Sequence, residues 1–192
     1  MIGGVVLAAG GASRFGSPKQ LAELDGRPLL QHAVDAMRAV PAISPVVVVL
    51  GAEAQRVRAA VDLGEARSVV CEEWADGMAA SLRCGVEAVG DCDWVIVTLG
   101  DQPRVTPQVI AAVMDHAESA PAGTVAVRAT YDGAPGHPVA LGRAMLPRVA
   151  QLSGDAGARD LLGGADVMTF EAARLCDPAD VDTPEELEAL RT

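Results

Sequence analysis

Ile2-Gly3-Gly4-Val5-Val6-Leu7-Ala8-Ala9-Gly10-Gly11-Ala12-Ser13-Arg14-Phe15-Gly16-Ser17-Pro18-Lys19-Gln20-Leu21 is the stretch on which the reading of this chain turns. An apolar run, Ile2 to Ala9, opens directly into a glycine-rich turn that carries Arg14 and then Lys19. Glycine lets backbone amides close on a phosphate, and two cations on one turn suit a polyanion. The intervals do not match two common nucleotide loops. Gly10, Gly11 and Gly16 do not make GxGxxG, no acidic residue closes a second strand to hold a ribose, and GxxxxGK[ST] is absent. A plain strand-to-helix turn with two solvated cations would use the same residue types.

Outward from this turn, short apolar runs alternate with amphipathic stretches. Ile2–Ala9, Val46–Leu50, Val69–Cys71, Trp94–Leu99, Thr124–Arg128 and Val167–Phe170 read as strands, and their continuous apolarity suits strands covered on both faces. Leu29, Leu30, Ala33, Val34, Met37 and Val40 recur at helical spacing behind Pro28, and 52–62, 78–89, 107–118 and 183–190 behave similarly. The alternation predicts an α/β fold, a Rossmann-like three-layer sandwich with a mostly parallel sheet. Residues 131–164 break the pattern with turn formers and are expected to be a loop-rich insertion forming a second wall of the site.

Composition limits the partners. A chain of 192 residues, half of them apolar, can bury a full core and reads as a single domain over 1–192. With 26 acidic against 15 basic residues and a net charge of -11, its overall field repels nucleic acid and anionic lipid, so neither is expected as a partner. A small polyanion is still admissible, because screening over roughly 8 Å lets Arg14 and Lys19 dominate a recessed site. The first apolar stretch has no basic leader and is shorter than the roughly 20 residues of a membrane span, so a cytoplasmic protein is expected. Cys71, Cys84, Cys92 and Cys176 show no metal-ligand spacing and read as reduced, mostly buried thiols.

In a parallel α/β sheet, ligands bind at the carboxyl ends of the strands. The turn 10–20 and the segment Gly100-Asp101-Gln102-Pro103 both leave strands there and should face one crevice. Asp101 can offer a hard oxygen to Mg²⁺ or can cap a helix. Near the C-terminus, Thr183 or Asp182 can cap a helix with Pro184 at its first position and Glu185 and Glu186 in its first turn, and Asp180 or Asp182 is a second candidate metal ligand.

The ordered set of motifs resembles a known family. Leu7 to Gly16 with Pro18-Lys19-Gln20-Leu21 is similar to the LAAGxSxRxG…PKxL signature of sugar-nucleotide-type nucleotidyltransferases. Trp74-Ala75-Asp76-Gly77-Met78-Ala79-Ala80-Ser81-Leu82-Arg83, Gly100-Asp101-Gln102-Pro103, Gly136-His137-Pro138-Val139, Gly154 to Arg159 and Asp180 to Glu185 narrow the resemblance to the molybdenum cofactor cytidylyltransferase group of the MobA-like nucleotidyltransferases. The resemblance implies a transferase that uses Mg²⁺. The backbone of Ala9, Gly10, Gly11 and Ala12 with the side chain of Arg14 would hold the β- and γ-phosphates, and Lys19 the α-phosphate. Ser81 and the Gly77-Met78 turn would lie near the base or ribose, Leu7, Ala8 and Gly100 would complete the nucleotide-binding set, and His137 and Arg159 would lie near the acceptor. Asp101 would hold the metal with Asp182. Arg14, Lys19 and Asp101 are thereby the expected catalytic set. LAAG rather than LAGG looks like the CTP-using branch, with a phosphorylated pterin as acceptor and a client molybdoenzyme downstream. Three other readings stay open: the same transfer with GTP or with an isoprenoid or sugar phosphate, a nicotinamide- or flavin-dependent oxidoreductase on this fold, and a noncatalytic maturation partner.

Overall fold

In the computed structural model, residues 1–11, 15, 17–163 and 166–191 are described, with the backbone alone at Arg159 and Asp160. The strands are β1 (Ile2–Ala8), β2 (Glu23–Leu24), β3 (Arg27–Pro28), β4 (Ile43–Leu50), β5 (Arg67–Val70), β6 (Trp94–Leu99), β7 (Ala126–Tyr131), β8 (Ala134–Gly142) and β9 (Val167–Glu171). The α-helices are α1 (Leu29–Arg38), α2 (Ala54–Ala60), α3 (Met78–Val89), α4 (Pro107–Glu118), α5 (Leu146–Val149), α6 (Ala158–Leu161) and α7 (Pro184–Ala189). A seven-stranded sheet in the order β5-β4-β1-β6-β8-β7-β9 forms the middle layer, and β2 and β3 make a separate small hairpin.

The continuous apolar runs are explained by burial on both faces. Val5 and Val6 are both fully buried but point opposite ways, as neighbours on a strand must. Val6 packs with Val34 and Met37 of α1 and Val113 of α4, whereas Val5 packs with Leu82 of α3 and Val149 of α5. Gly85 lets α3 lie close to the sheet, since a Cβ there would stand 2.5 Å from Val5 Cγ1 and 2.9 Å from Val49 Cγ2.

Within the seven-stranded sheet all pairings are parallel except those of β8, which runs antiparallel to β6 through Val97 opposite Val139 and to β7 through Arg128 opposite Val139. Within the loop-rich stretch 131–164, the sequence reading missed a strand: 134–142 is interior to the sheet, with Val139, Ala140 and Leu141 fully buried. Gly136 and Pro138 mask the apolar pattern. Asp132 and Gly133, at φ 50 and φ 80, form a two-residue reversal between Tyr131 and its partner Ala134, the Asp-Gly hairpin signal. The remainder of the insertion contains α5 and α6 and packs on the face that carries α3.

Beyond β9 the chain returns towards the ends of β1 and β6. Val181 N–H donates to the Asp101 carbonyl over 3.0 Å, and Gln102 Nε2 donates to the Pro178 carbonyl over 2.8 Å. Leu24, Leu29, Val181 and Leu187 form a small cluster of their own, which seats this segment against the β2–β3 hairpin. Among the described residues, no helix is long and apolar enough to cross a membrane.

Candidate functional site

The carboxyl ends of β1 and β6 lie side by side, with Gly100 N–H donating to the Leu7 carbonyl over 2.8 Å. Above them opens a cleft of about 430 Å³. Its floor is Leu7 to Gly11 and Leu99 to Asp101, one wall is Trp74, Gly77, Met78 and Ser81, and Asp155, Asp180 and Asp182 complete the rim. The glycine turn is held from behind by Gln20, whose buried amide donates to the carbonyls of Ala8 and Gly10, each over 2.9 Å. Gly51 lets the end of β4 approach, because a Cβ there would lie 2.3 Å from the Ala9 carbonyl oxygen and 2.8 Å from Trp74 Cβ. Trp74 in turn covers Gly11, where a Cβ would meet its ring at 2.9 Å.

Lys19 closes the floor of the cleft. Its Nζ donates to Asp101 Oδ2 over 2.6 Å and to Asp182 Oδ1 over 2.7 Å, joining residues brought from three distant parts of the chain. Burial works against the ammonium, but the two carboxylates outweigh it and hold Lys19 above the ordinary lysine range. Burial pushes the Asp101 carboxyl up, and the Lys19 charge opposes this without cancelling it. Asp101 Oδ1 is buried and has no hydrogen-bond partner among the described residues. Asp182 is the more exposed carboxylate, and its backbone N–H donates to Glu186 Oε2 over 2.7 Å.

An unpartnered, buried carboxylate oxygen beside an open cleft fits a hard divalent cation such as Mg²⁺, which commonly takes one or two protein carboxylates and completes its shell with phosphate and water. Among the described residues, no three His, Cys, Asp or Glu side chains form a ready-made cage. The ammonium of Lys19 instead stands between Asp101 and Asp182.

The expected nucleotide residues Leu7, Ala8, Ala9, Gly10, Gly11, Lys19, Gly77, Met78, Ser81 and Gly100 all line this cleft, as do Asp101 and Asp182. Ala12 and Arg14 lie outside the described residues, as does the side chain of Arg159. His137 does not line the cleft. It is on β8, two residues before the Val139 that pairs with Val97, and its carbonyl accepts from Tyr131 Oη over 2.6 Å. Burial, with the nearby Arg128 charge, pushes its imidazole down to about 4. Gln20, Trp74 and Asp155 enter the site without having been assigned to it from the sequence. For Gln20 the available signal was its place in the Pro18-Lys19-Gln20-Leu21 motif, directly after the turn's second cation.

The MobA-like NTP transferase domain profile matches residues 4–170. The chain belongs to this family. Over its whole length, this MobA-like transferase is similar to Rv0371c from Mycobacterium tuberculosis H37Rv, with 33% identity, coverage of 98% of this chain and 96% of that one, and a TM-score of 0.88. A second structure of that protein, described as a complex with manganese, shares 31% identity over 98% and 97% of the two chains, with a TM-score of 0.83. A nucleotidyl transferase from Methanothermobacter thermautotroptrophicus matches at 25% identity over 100% and 96%, with a TM-score of 0.81. A protein of Paenarthrobacter nicotinovorans named nicotine blue oxidoreductase is 33% identical over 96% of this chain and 93% of its own.

Proposed function

We propose that this MobA-like transferase moves CMP from CTP to a phosphorylated acceptor, with a molybdopterin-type pterin as the first candidate, and releases pyrophosphate. The observation that carries the reading is the Lys19 clasp at the end of the glycine turn, a cation held by two carboxylates where a triphosphate would lie. In the reaction, an acceptor phosphate oxygen attacks the α-phosphorus in line. The new P–O bond forms as the bond to the α,β-bridging oxygen breaks, and the electron pair leaves on pyrophosphate.

Such a transfer asks the protein for positioning and charge neutralisation rather than a covalent nucleophile. The backbone of Ala9 to Gly11 holds the phosphates, with Gln20 fixing the turn, and Lys19 offers its ammonium to the α-phosphate. Asp101 and Asp182 are the carboxylates that would hold Mg²⁺, which when bound neutralises charge on the phosphate oxygens. Arg14 is proposed as a further phosphate cation. His137 and Arg159 are proposed on the acceptor side, His137 as a neutral imidazole at ordinary pH. An acceptor phosphate is already ionised, so the site needs no strong general base. A single domain over 1–192, a cytoplasmic setting and delivery to a client molybdoenzyme belong to the same proposal.

The test is pyrophosphate release by purified protein with Mg²⁺ and a molybdopterin-type acceptor, with CTP, GTP and ATP compared in parallel. Release with CTP alone is expected. Release with GTP alone would move the base assignment, and silence with all three would remove the acceptor. A second reading, an oxidoreductase on the same frame, is favoured by the name of the Paenarthrobacter relative. Oxidation of NADPH by the purified protein would support it in place of transfer.

A further inference from the structure

Two neighbouring residues after β6 reach different parts of the molecule. Asp101 accepts from Lys19 Nζ over 2.6 Å, whereas Gln102 Nε2 donates to the Pro178 carbonyl over 2.8 Å. Pro178 lies in the run between β9 and α7, which forms neither strand nor helix. The stretch after β6 holds the C-terminal return at other points as well. The Asp101 carbonyl accepts from Val181 N–H over 3.0 Å, Thr106 Oγ1 donates to the Leu175 carbonyl over 3.2 Å, and Arg104 Nη2 donates to the Leu190 carbonyl. Of the three side chains, Gln102 is buried, Thr106 half-buried and Arg104 exposed.

A segment without a hydrogen-bond ladder opens locally at low cost, so each bond that ties it down counts. Asp182 is four residues beyond Pro178, and its Oδ1 accepts from the Lys19 ammonium over 2.7 Å. Gln102 also carries a cost, because its Oε1 is buried without a hydrogen-bond partner among the described residues. An apolar side chain of the same shape would avoid that cost, so the gain at this position is the Nε2 donor. A neutral donor suits the place. A cation beside Asp101 would compete with Lys19, and a carboxylate would set an acceptor against the Pro178 carbonyl.

We propose that Gln102 is a positioning residue: by holding the Pro178 carbonyl it fixes the run 178–182, and with it the place of Asp182 against Lys19. The proposal deepens the nucleotidyl-transfer reading and rests on it for the reaction that Asp182 serves. Gln102 touches neither nucleotide nor acceptor in this role and acts through Asp182 alone.

Lys19 is the only lysine of the chain, so protein labelled with ¹⁵N-lysine gives a single side-chain ammonium signal in nuclear magnetic resonance. The experiment measures how fast that ammonium exchanges hydrogen with water, at one pH and without metal or nucleotide, in the full chain and in Gln102→Met, Gln102→Asn, Asp182→Asn and the double variant Gln102→Met/Asp182→Asn. Gln102→Met keeps the length and loses the donor, and is expected to speed the exchange about tenfold, the scale of one buried hydrogen bond. Gln102→Asn, whose amide falls one methylene short, should do likewise. Asp182→Asn should speed the exchange by itself, and adding Gln102→Met to it should change nothing further, since both act on one contact. In the pyrophosphate-release assay the Gln102 variants should lose kcat more than they raise KM for CTP. An ammonium that ignores both Gln102 variants would overturn the proposal, as would full additivity in the double variant or a kcat that does not follow the exchange rate. Faster exchange at the β1 and β6 amides as well would mark a general loosening and overturn it too. Ammonium exchange that depends on Gln102, with no pyrophosphate released by the parent protein, would leave the placing of Asp182 standing and defeat the transfer reading.

Discussion

Lys19 is the residue on which two demands meet. It compensates two carboxylates at 2.6 and 2.7 Å in the described structure, and in the proposed reaction it must face a phosphate. If the ammonium occupies the place a divalent cation would take, the two compete. Lys19→Met is then expected to tighten Mn²⁺ binding by the nucleotide-free protein, read from the free-Mn²⁺ signal in electron paramagnetic resonance, while transfer falls about 100-fold or more. Unchanged Mn²⁺ affinity would show that the lysine does not hold the metal's place. His137 gives a pH signature. With its imidazole pushed from 6.5 down to about 4, the native protein refuses a proton that the unfolded chain accepts. Stability therefore falls as pH drops from about 6.5 towards 4, and rises again with pH across the same window. His137→Gln should shrink the difference between urea midpoints measured at pH 7 and pH 5. An unaltered difference would place the pH dependence elsewhere.

Elements were legible wherever one physical signal dominated. Trp94–Leu99, 78–89 and 107–118 coincide with β6, α3 and α4, because an apolar run or an amphipathic period is bounded there by a clear break. At α4 the break is Thr106, which accepts from Val109 N–H, followed by Pro107 in the first turn. β8 was missed because its glycine and prolines carry the composition of a loop, although the buried run Val139 to Leu141 and the Asp132-Gly133 reversal were both present. The start of α7 was read correctly. Thr183 Oγ1 accepts from Glu186 N–H over 3.2 Å and Glu186 returns a carboxylate oxygen to Thr183 N–H over 2.9 Å, a full capping box. Thr183→Ala is expected to cost about 1 kcal/mol, a melting temperature lower by roughly 2–4 °C. Asp182 is tied to the same Glu186 oxygen, so calorimetry should also register weaker metal and nucleotide binding. A melting loss with binding unchanged would separate the cap from the site.

At the scale of the molecule, the uneven charge should be visible in stability. A net charge of -11 repels itself in the compact state, and the ion pairs are mostly exposed contacts of small worth. The melting temperature is expected to rise between about 20 mM and about 150 mM sodium chloride, as the screening length shortens. A flat or falling curve would mean that the surface pairs outweigh the net repulsion. The site was legible only in part on the same grounds. The glycine turn is local and could be read directly, whereas the meeting of Lys19 with Asp101 and Asp182 spans 82 and 163 residues, and no spacing rule reaches that far. Its members were read one by one, as a cation on the turn, a carboxylate after a strand and an aspartate before a helix, and the family resemblance gathered them into one site; Gln20, Trp74 and Asp155 stand within the quoted motifs, and their contacts emerged only with the fold.

The C-terminal return has one more consequence. The family profile ends at residue 170, and Asp180 and Asp182 come after it. The second carboxylate on Lys19 is thus brought by a segment that pairs with no strand of the sheet and is seated by Val181 and Leu187. Loosening that segment would leave every strand pairing in place and Lys19 with Asp101 alone.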